Sequence, residues 1–136
     1  MTTPTALFSE LEQNIAKTIL IVDDSTSFRN VVGLALKDAG YEIIQACDGK
    51  DALSKLDGKK INLIISDVNM PFMDGLSFVK AAKQLTAYKF TPVIMLTTES
   101  SDEKKAEGKA AGVRAWVVKP FQPPLLLDAV AKLILP

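Results

Sequence analysis

Thr18-Ile19-Leu20-Ile21-Val22-Asp23-Asp24 is the stretch that decides the fold. Its apolar residues run without polar alternation, which predicts a strand buried on both faces, as in a parallel sheet. Two carboxylates follow at the point where the strand ends. Apolar residues then recur at helical spacing from Phe28 to Leu36, and Gly40 is placed to end that helix as its C′ residue. The stretch therefore predicts a strand followed by a helix, with acidic residues in the loop between them.

The same alternation continues along the chain. Further strands are predicted over 41–46, 61–66, 93–96 and 115–118. The second helix is predicted to end near Leu56, the third to cover 76–84, the fourth to start at a capping box of Ser100 and Glu103, and the last to start at two prolines. Five strands alternating with five helices predict an α/β fold, a doubly wound parallel sheet. Right-handed crossovers favour the strand order 2-1-3-4-5.

The alternation covers residues 18–136, and residues 1–17 stand apart as a leader. Apolar positions in the leader are spaced for one side of a short helix: Leu7, Phe8, Leu11 and Ile15. A frayed leader, a docked helix and a partner-binding arm are all compatible with this pattern.

The composition of the chain excludes several kinds of catalytic site, metal site and partner. The 136 residues fit one domain, and 16 basic residues balance 16 acidic ones, so charge gives no case for nucleic acid as a partner. The absence of histidine excludes a serine–histidine triad, a histidine-ligated zinc site and a phosphohistidine carrier. No apolar run is long enough to span a membrane and the N-terminus has no signal-peptide pattern, so we expect a cytoplasmic protein. The single cysteine, Cys47, is expected to be a small buried hydrophobe.

Polar residues follow four of the predicted strands, at the point where each strand ends. They are Asp23 and Asp24, Asp67, Thr97 and Thr98, and Lys119. Because the carboxyl ends of parallel strands meet at one edge, we expect these side chains to gather there. Open α/β sheets bind ligands at that edge, where the strand order reverses.

Three clustered carboxylates need a cation, because two of them about 4 Å apart repel by roughly 4 kcal/mol. Oxygen ligands without histidine favour Mg²⁺ over zinc. We expect Asp24 and Asp67 to be ligands of the cation and Asp23 to bind it directly or through water. The backbone carbonyl of Asn69 would be the remaining ligand from the protein.

A lysine and a threonine beside such a carboxylate are typical of phosphoryl transfer. Asp67 would act as the nucleophile and become an aspartyl phosphate. Lys119 would neutralise the phosphoryl oxygens and Thr97 would donate a hydrogen bond to them. The alternative for each residue alone is structural: Asp67 could cap a loop, and Lys119 could be a solvated charge.

Four segments resemble the receiver domain of response regulators. They are Ile21-Val22-Asp23-Asp24-Ser25, Ser66-Asp67-Val68-Asn69-Met70-Pro71 with Met73-Asp74-Gly75, Leu96-Thr97-Thr98-Glu99, and Val118-Lys119-Pro120-Phe121. The resemblance implies a flavodoxin-like (βα)5 fold, whose known strand order is 2-1-3-4-5. It also implies phosphorylation on Asp67, metal binding by Asp23 and Asp24, and contact of Thr97 and Lys119 with the phosphoryl group. A cis peptide before Pro120 is implied as well.

Within that family the chain is most similar to the stand-alone chemotaxis type. The similarity lies in 97–101, in 104–109, and in the pair Asn69 and Glu99, which in such receivers tunes dephosphorylation. It implies a signalling switch without an output domain, with intrinsic phosphotransfer and autodephosphorylation activity. A histidine kinase would be the phosphodonor, a flagellar motor switch protein the target and a phosphatase a further partner, with no membrane or nucleic acid involved.

Trp116 occupies the switch position that usually holds tyrosine or phenylalanine, and Thr98 lies beside the phosphoryl-reading Thr97. An output face is predicted around the tryptophan, with basic residues Lys104, Lys105, Lys109 and Arg114. This face suits an acidic amphipathic peptide. The alternatives are simple surface packing of Trp116 and a solvated helix face.

Other functions fit parts of the pattern. A single-domain receiver could act as a phosphate sink or serve a non-flagellar pathway. A Mg²⁺-dependent aspartyl-phosphate hydrolase is the alternative from the enzyme class, although those enzymes resemble Asp-x-Asp rather than adjacent aspartates. A flavin carrier is disfavoured, because the first loop is acidic where a flavin phosphate needs N–H and hydroxyl donors.

Overall fold

The computed structural model describes residues 16–136. The strands in this range are β1 (Thr18–Val22), β2 (Glu42–Ala46), β3 (Leu63–Ser66), β4 (Val93–Thr97) and β5 (Ala115–Val118). The α-helices are α1 (Thr26–Asp38), α2 (Gly49–Lys55), α3 (Gly75–Lys83), α4 (Asp102–Ala110) and α5 (Pro123–Leu133), with a short 3-10 helix at Thr86–Tyr88. The apolar leader positions, 7, 8, 11 and 15, lie outside the described residues.

The sheet is parallel, and its strand order, β2-β1-β3-β4-β5, confirms the predicted topology. Its register aligns the carboxyl ends of the strands. Val22, the last residue of β1, pairs with Ala46 on one side and with Ser66 on the other. Thr97, the last residue of β4, pairs with Val118. The polar residues that follow these strands therefore leave the sheet at one common edge.

Helices cover both faces of the sheet, because the central strands are apolar on both sides. In β1, Ile19 and Ile21 pack on the layer of α1 and α5, whereas Leu20 and Val22 pack on the layer of α2 and α3. These four side chains are at most 1% exposed. The period-2 alternation of a strand thus divides one apolar run between two cores.

The ends of the helices follow from local chemistry. Gly40 ends α1 in the left-handed region with φ 98°, as predicted. The predicted capping box of the fourth helix is wrong by one residue: Ser101, not Ser100, is the N-cap, and it accepts a hydrogen bond from the N–H of Lys104. Ser101 also donates to Glu99 Oε1 at 2.7 Å. This second bond favours Ser101 over its neighbour.

The prediction that Cys47 is buried is wrong, because the residue is exposed. It follows β2, which is the edge strand of the sheet and is only half-buried along most of its length. Ala46, the last residue of the strand, is buried, and Cys47 lies exposed in the turn that follows it. None of the helices within residues 16–136 has the length and apolar character needed to cross a membrane.

Candidate functional site

The loop after β1 holds two aspartates in different environments. Asp23 is buried and Asp24 is exposed. Asp23 Oδ1 accepts a hydrogen bond from the N–H of Ser25 at 2.8 Å, and Ser25 in turn caps α1 by accepting from the N–H of Phe28. The Arg29 guanidinium donates to the backbone carbonyl of Asp23 at 2.6 Å. The start of α1 therefore fixes both the backbone and the carboxylate of Asp23.

Asp67 follows β3 and is also buried. Its N–H donates to the carbonyl of Val22, which ties it to the end of β1. Its Oδ1 accepts from the N–H of Val68 at 2.6 Å and from that of Asn69 at 3.3 Å. Helix α3 begins against the same backbone, because a Cβ added to Gly75 would lie 1.9 Å from the carbonyl oxygen of Asp67. The loop of residues 67–74, which we call the acceptor loop, is thus held by the end of β1 and by the start of α3.

Lys119 joins the two buried aspartates. Its Nζ lies 2.7 Å from Asp23 Oδ2 and 3.0 Å from Asp67 Oδ2. Its N–H donates to the carbonyl of Thr97, which places β5 beside the end of β4. The peptide bond between Lys119 and Pro120 is cis, as the resemblance implied. Side chains from three strand ends therefore converge on one ammonium group.

The three carboxylates form a cluster that fits a hard divalent cation. Asp23, Asp24 and Asp67 each offer an oxygen, and these oxygens all lie within 4.8 Å of one another. An oxygen-only donor set of this kind suits Mg²⁺ better than it suits zinc. The single positive charge of Lys119 balances only part of the negative charge of the three carboxylates, so the remaining charge favours binding of a further cation.

Burial and hydrogen bonding set the charges of the site. Burial raises the pKa of a carboxyl group, but at Asp67 the Thr97 hydroxyl and the Lys119 ammonium outweigh it, so the pKa of Asp67 lies below its ordinary value. At Asp23 burial dominates and the pKa is raised. Burial lowers the pKa of Lys119, yet its hydrogen bonds to Asp23 and Asp67 raise it above its ordinary value overall. Asp67 is therefore an ionised carboxylate beside a charged ammonium at neutral pH.

The loop after β4 links this site to the rest of the molecule. The N–H of Glu99 donates to Thr97 Oγ1 at 3.1 Å, whereas Thr98 between them is exposed. Hydrogen bonding by Ser101 and by the Asn69 side chain lowers the pKa of Glu99. Asn69 and Glu99, predicted as a pair, are therefore neighbours at the rim. We call Asp23, Asp24, Asp67, Thr97 and Lys119 the acid site.

Trp116 is half-buried and is tied to the same loop. Its indole N–H donates to the backbone carbonyl of Glu99 at 2.8 Å. Its ring lies on α4, where a Cβ added to Gly108 would come within 2.8 Å of the ring atom Cζ3. The glycine therefore gives the indole room to pack between α4 and β5.

Three of the four basic residues expected around this tryptophan lie beside it. Lys105, Lys109 and Arg114 line an open cavity of about 460 Å³ together with Trp116. None of these three cations forms a salt bridge within residues 16–136, whereas Lys104 pairs with Glu107 at 3.5 Å. We call the four basic residues and Trp116 the basic face.

Sequence reasoning missed the supporting residues of the acid site. Arg29 is buried although it is charged, and it lies on the apolar stripe of α1 with Val32 and Leu36. An arginine on such a stripe is a usable signal, because a buried charge needs partners nearby. The contact of Phe28 with Lys119 left no local signal, because the two residues are far apart in sequence.

Comparisons with known proteins show the family of the chain. The family model of the response regulator receiver domain matches residues 19–131. Protein PilG of Pseudomonas aeruginosa is 35% identical over 119 residues, 88% of each chain. Chemotaxis protein CheY1 of Helicobacter pylori (strain 26695) is 38% identical over 112 residues, 81% of this chain and 90% of the relative.

A solved structure of the chemotaxis protein CheY4 of Vibrio cholerae is 52% identical and covers 87% of this chain and 98% of that one, with a TM-score of 0.83. Its fold therefore matches over almost the whole length of the solved protein. The chain belongs to the response regulator receiver family, a family of signalling switches, and within it is similar to chemotaxis proteins of the CheY type.

Proposed function

We propose that the protein is a receiver switch that accepts a phosphoryl group on Asp67 and relays chemotaxis signals from a histidine kinase to a flagellar motor switch protein. The observation that carries this proposal is the position of the Lys119 ammonium, which lies within 3.0 Å of both buried carboxylates. An ionised acceptor and a fixed cation at one point are what phosphoryl transfer needs.

The acceptor chemistry uses the carboxylate of Asp67. One of its oxygens attacks the phosphorus of the donor, and the bond from phosphorus to the donor's leaving group breaks. The leaving group keeps the bonding electron pair. Asp67 needs no general base, because its carboxylate is already ionised. Lys119 stabilises the negative charge on the phosphoryl oxygens, and the Thr97 hydroxyl donates a hydrogen bond to one of them.

Mg²⁺ is the cofactor that the acid site would hold. Its ligands would be the carboxylates of Asp23, Asp24 and Asp67 and the backbone carbonyl of Asn69, with Asp23 acting directly or through water. When bound, Mg²⁺ supplies positive charge for the phosphoryl oxygens and for the crowded carboxylates.

Loss of the phosphoryl group would be tuned at the rim. Asn69 and Glu99 are neighbours there, and both carry groups that can hold a water molecule by hydrogen bonds. A water held in this way is positioned for attack on phosphorus opposite Asp67. A separate phosphatase would act at the same rim, through these residues.

The basic face would bind the target. Its unpaired cations and indole suit an acidic amphipathic segment of a motor switch protein. Phosphorylation would draw the Thr97 hydroxyl toward the phosphoryl oxygens and move the loop that holds Glu99 and, through it, Trp116. The proposed switch is therefore a shift of this loop.

Intact mass tests the acceptor assignment. The protein is incubated with acetyl phosphate and Mg²⁺, and we expect a mass increase of one phosphoryl group that disappears in Asp67→Asn and on chelation of the metal. Asp74→Asn is the matched control, because Asp74 caps α3 at the surface and asparagine is an equally good cap. Full labelling of Asp67→Asn, or none of the wild type, would contradict the proposal.

A further inference from the structure

Within residues 16–136, the Lys119 ammonium has two salt bridges and one further contact, which is not ionic. The third is with the ring of Phe28, whose centroid lies 3.9 Å from Nζ. The side chain of Lys119 is 15% exposed, so this cation–π contact is largely shielded from water. Such shielding increases the strength of a cation–π interaction.

The ring itself is held firmly. The N–H of Phe28 donates to the Ser25 hydroxyl in the first turn of α1, and Ser25 in turn donates its N–H to Asp23. The Phe28 ring packs edge to face against Phe121, with centroids 5.8 Å apart and an interplanar angle of 81°. One turn of chain therefore orders both the Asp23 carboxylate and the ring that covers Lys119.

The three contacts respond differently when Asp67 reacts. As a bond forms between Asp67 and phosphorus, the negative charge of the carboxylate moves onto the phosphoryl oxygens, and the attraction between Lys119 and Asp67 weakens. The attraction to the neutral ring of Phe28 does not depend on that charge. Phe28 therefore holds the ammonium in place while its ionic attraction passes from Asp67 to the phosphoryl oxygens.

We propose that Phe28 is a positioning residue for phosphoryl transfer: its ring keeps the Lys119 ammonium at the phosphoryl oxygens while the bond from Asp67 to phosphorus forms. The proposal rests on the proposed function. The ring of Phe28 adds a cation–π contact to the charged and hydroxyl-bearing groups of the acid site.

The test compares leucine and tyrosine at position 28. With saturating Mg²⁺, the rate of phosphorylation by acetyl phosphate is followed by intact mass across a range of donor concentrations. We expect Phe28→Leu to lower the maximal rate constant about tenfold, and Phe28→Tyr to restore most of it, because tyrosine keeps the π face. The donor concentration that gives the half-maximal rate should change less than the maximal rate, because the ring contacts the lysine and not the donor.

Phe90→Leu is the matched control. Lys89 Nζ lies 5.6 Å from the Phe90 ring centroid in a second, exposed lysine–phenylalanine pair. We expect the same substitution there to leave the rate unchanged. Urea unfolding of each variant separates a loss of rate from a loss of fold, and Phe28→Met replaces Phe28→Leu if leucine prevents folding.

Each outcome has a defined meaning. A wild-type rate in Phe28→Leu, or a rate in Phe28→Tyr as low as that of the leucine variant, would overturn the positioning role. Failure of the wild type to be labelled at all would instead overturn the assignment of Asp67, so the two proposals fail separately.

Discussion

The acid site and the basic face meet at the loop between β4 and α4, and they are built in opposite ways. The acid site is buried at Asp23 and Asp67, and its one lysine bonds to both carboxylates. On the basic face, Lys105, Lys109 and Arg114 have no acidic partner within residues 16–136. The paired charges of the acid site are fixed in position around Asp67. The unpaired cations of the basic face can instead bind acidic groups of a partner.

Removal of the lysine amine in each region gives the largest expected contrast. Lys119→Met deletes the cation that faces the phosphoryl oxygens, so we expect phosphorylation by acetyl phosphate to slow by about a hundredfold to a thousandfold. Lys105→Met removes the same group from the basic face and should leave this rate unchanged. Intact mass against time measures both. Equal rates in the two variants would mean that Lys119 has no role in the transfer step.

A methyl group added to a glycine in each region tests how tightly the two are packed. Gly75→Ala would place a Cβ 1.9 Å from the backbone of Asp67, which cannot move without breaking the acceptor loop. We expect a loss of about 3 kcal/mol or more in the free energy of unfolding.

Gly108→Ala would come closest to the edge of the Trp116 ring, at 2.8 Å, and would meet no backbone atom at that distance. Alanine also favours the helix over glycine by about 1 kcal/mol. The net loss there should be about 1 kcal/mol or less. Urea unfolding of the two variants measures the difference, and a larger loss at Gly108 would contradict this view of the packing.

The fold and the geometry of the acid site could be predicted because short-range patterns determine them. The unbroken apolar run of β1 predicts a strand buried on both faces, and parallel strands bring Asp23, Asp67 and Lys119 to one edge. Lys119 and Asp23 are 96 positions apart in the chain, and this shared edge brings them close although β1 and β5 are not adjacent.

Other features depend on contacts that no local pattern contains. The capping-box pattern favours Ser100 because Glu103 follows it by three residues, whereas the fold selects Ser101, which also bonds to Glu99. Cys47 is exposed because β2 lies at the edge of the sheet, which the composition of the strand does not reveal. The contact between Phe28 and Lys119 requires the folded positions of both α1 and β5.

Binding of the target should depend on the charges of the basic face. We expect Lys109→Gln combined with Arg114→Gln to weaken binding of a flagellar motor switch protein about tenfold at low salt and less at high salt, with no change in phosphorylation rate. Lys50→Gln with Lys60→Gln removes two exposed cations elsewhere and serves as the control. Calorimetric titration at two ionic strengths measures the effect. Equal losses in both double variants would indicate a general effect of net charge.

The smallest expected effect tests the connection between the two regions. Trp116→Phe keeps an aromatic ring on Gly108 but removes the N–H that bonds to the carbonyl of Glu99. We expect the phosphorylation rate to stay unchanged, while the ratio of target affinities between the phosphorylated and unphosphorylated forms falls about fivefold, the effect of one net hydrogen bond of about 1 kcal/mol.

The matched control for the indole is Tyr88→Phe, which removes a hydroxyl that donates to the carbonyl of Lys59, away from both regions. It should reduce stability and leave the affinity ratio intact. If Trp116→Phe weakens target binding equally in both forms, the indole serves the basic face alone and the signal must travel by another route. If the ratio falls as expected, the hydrogen bond from the Trp116 indole to the carbonyl of Glu99 carries part of the coupling between phosphorylation and target affinity. A displacement of Thr97 and Glu99 would reach the indole through this bond.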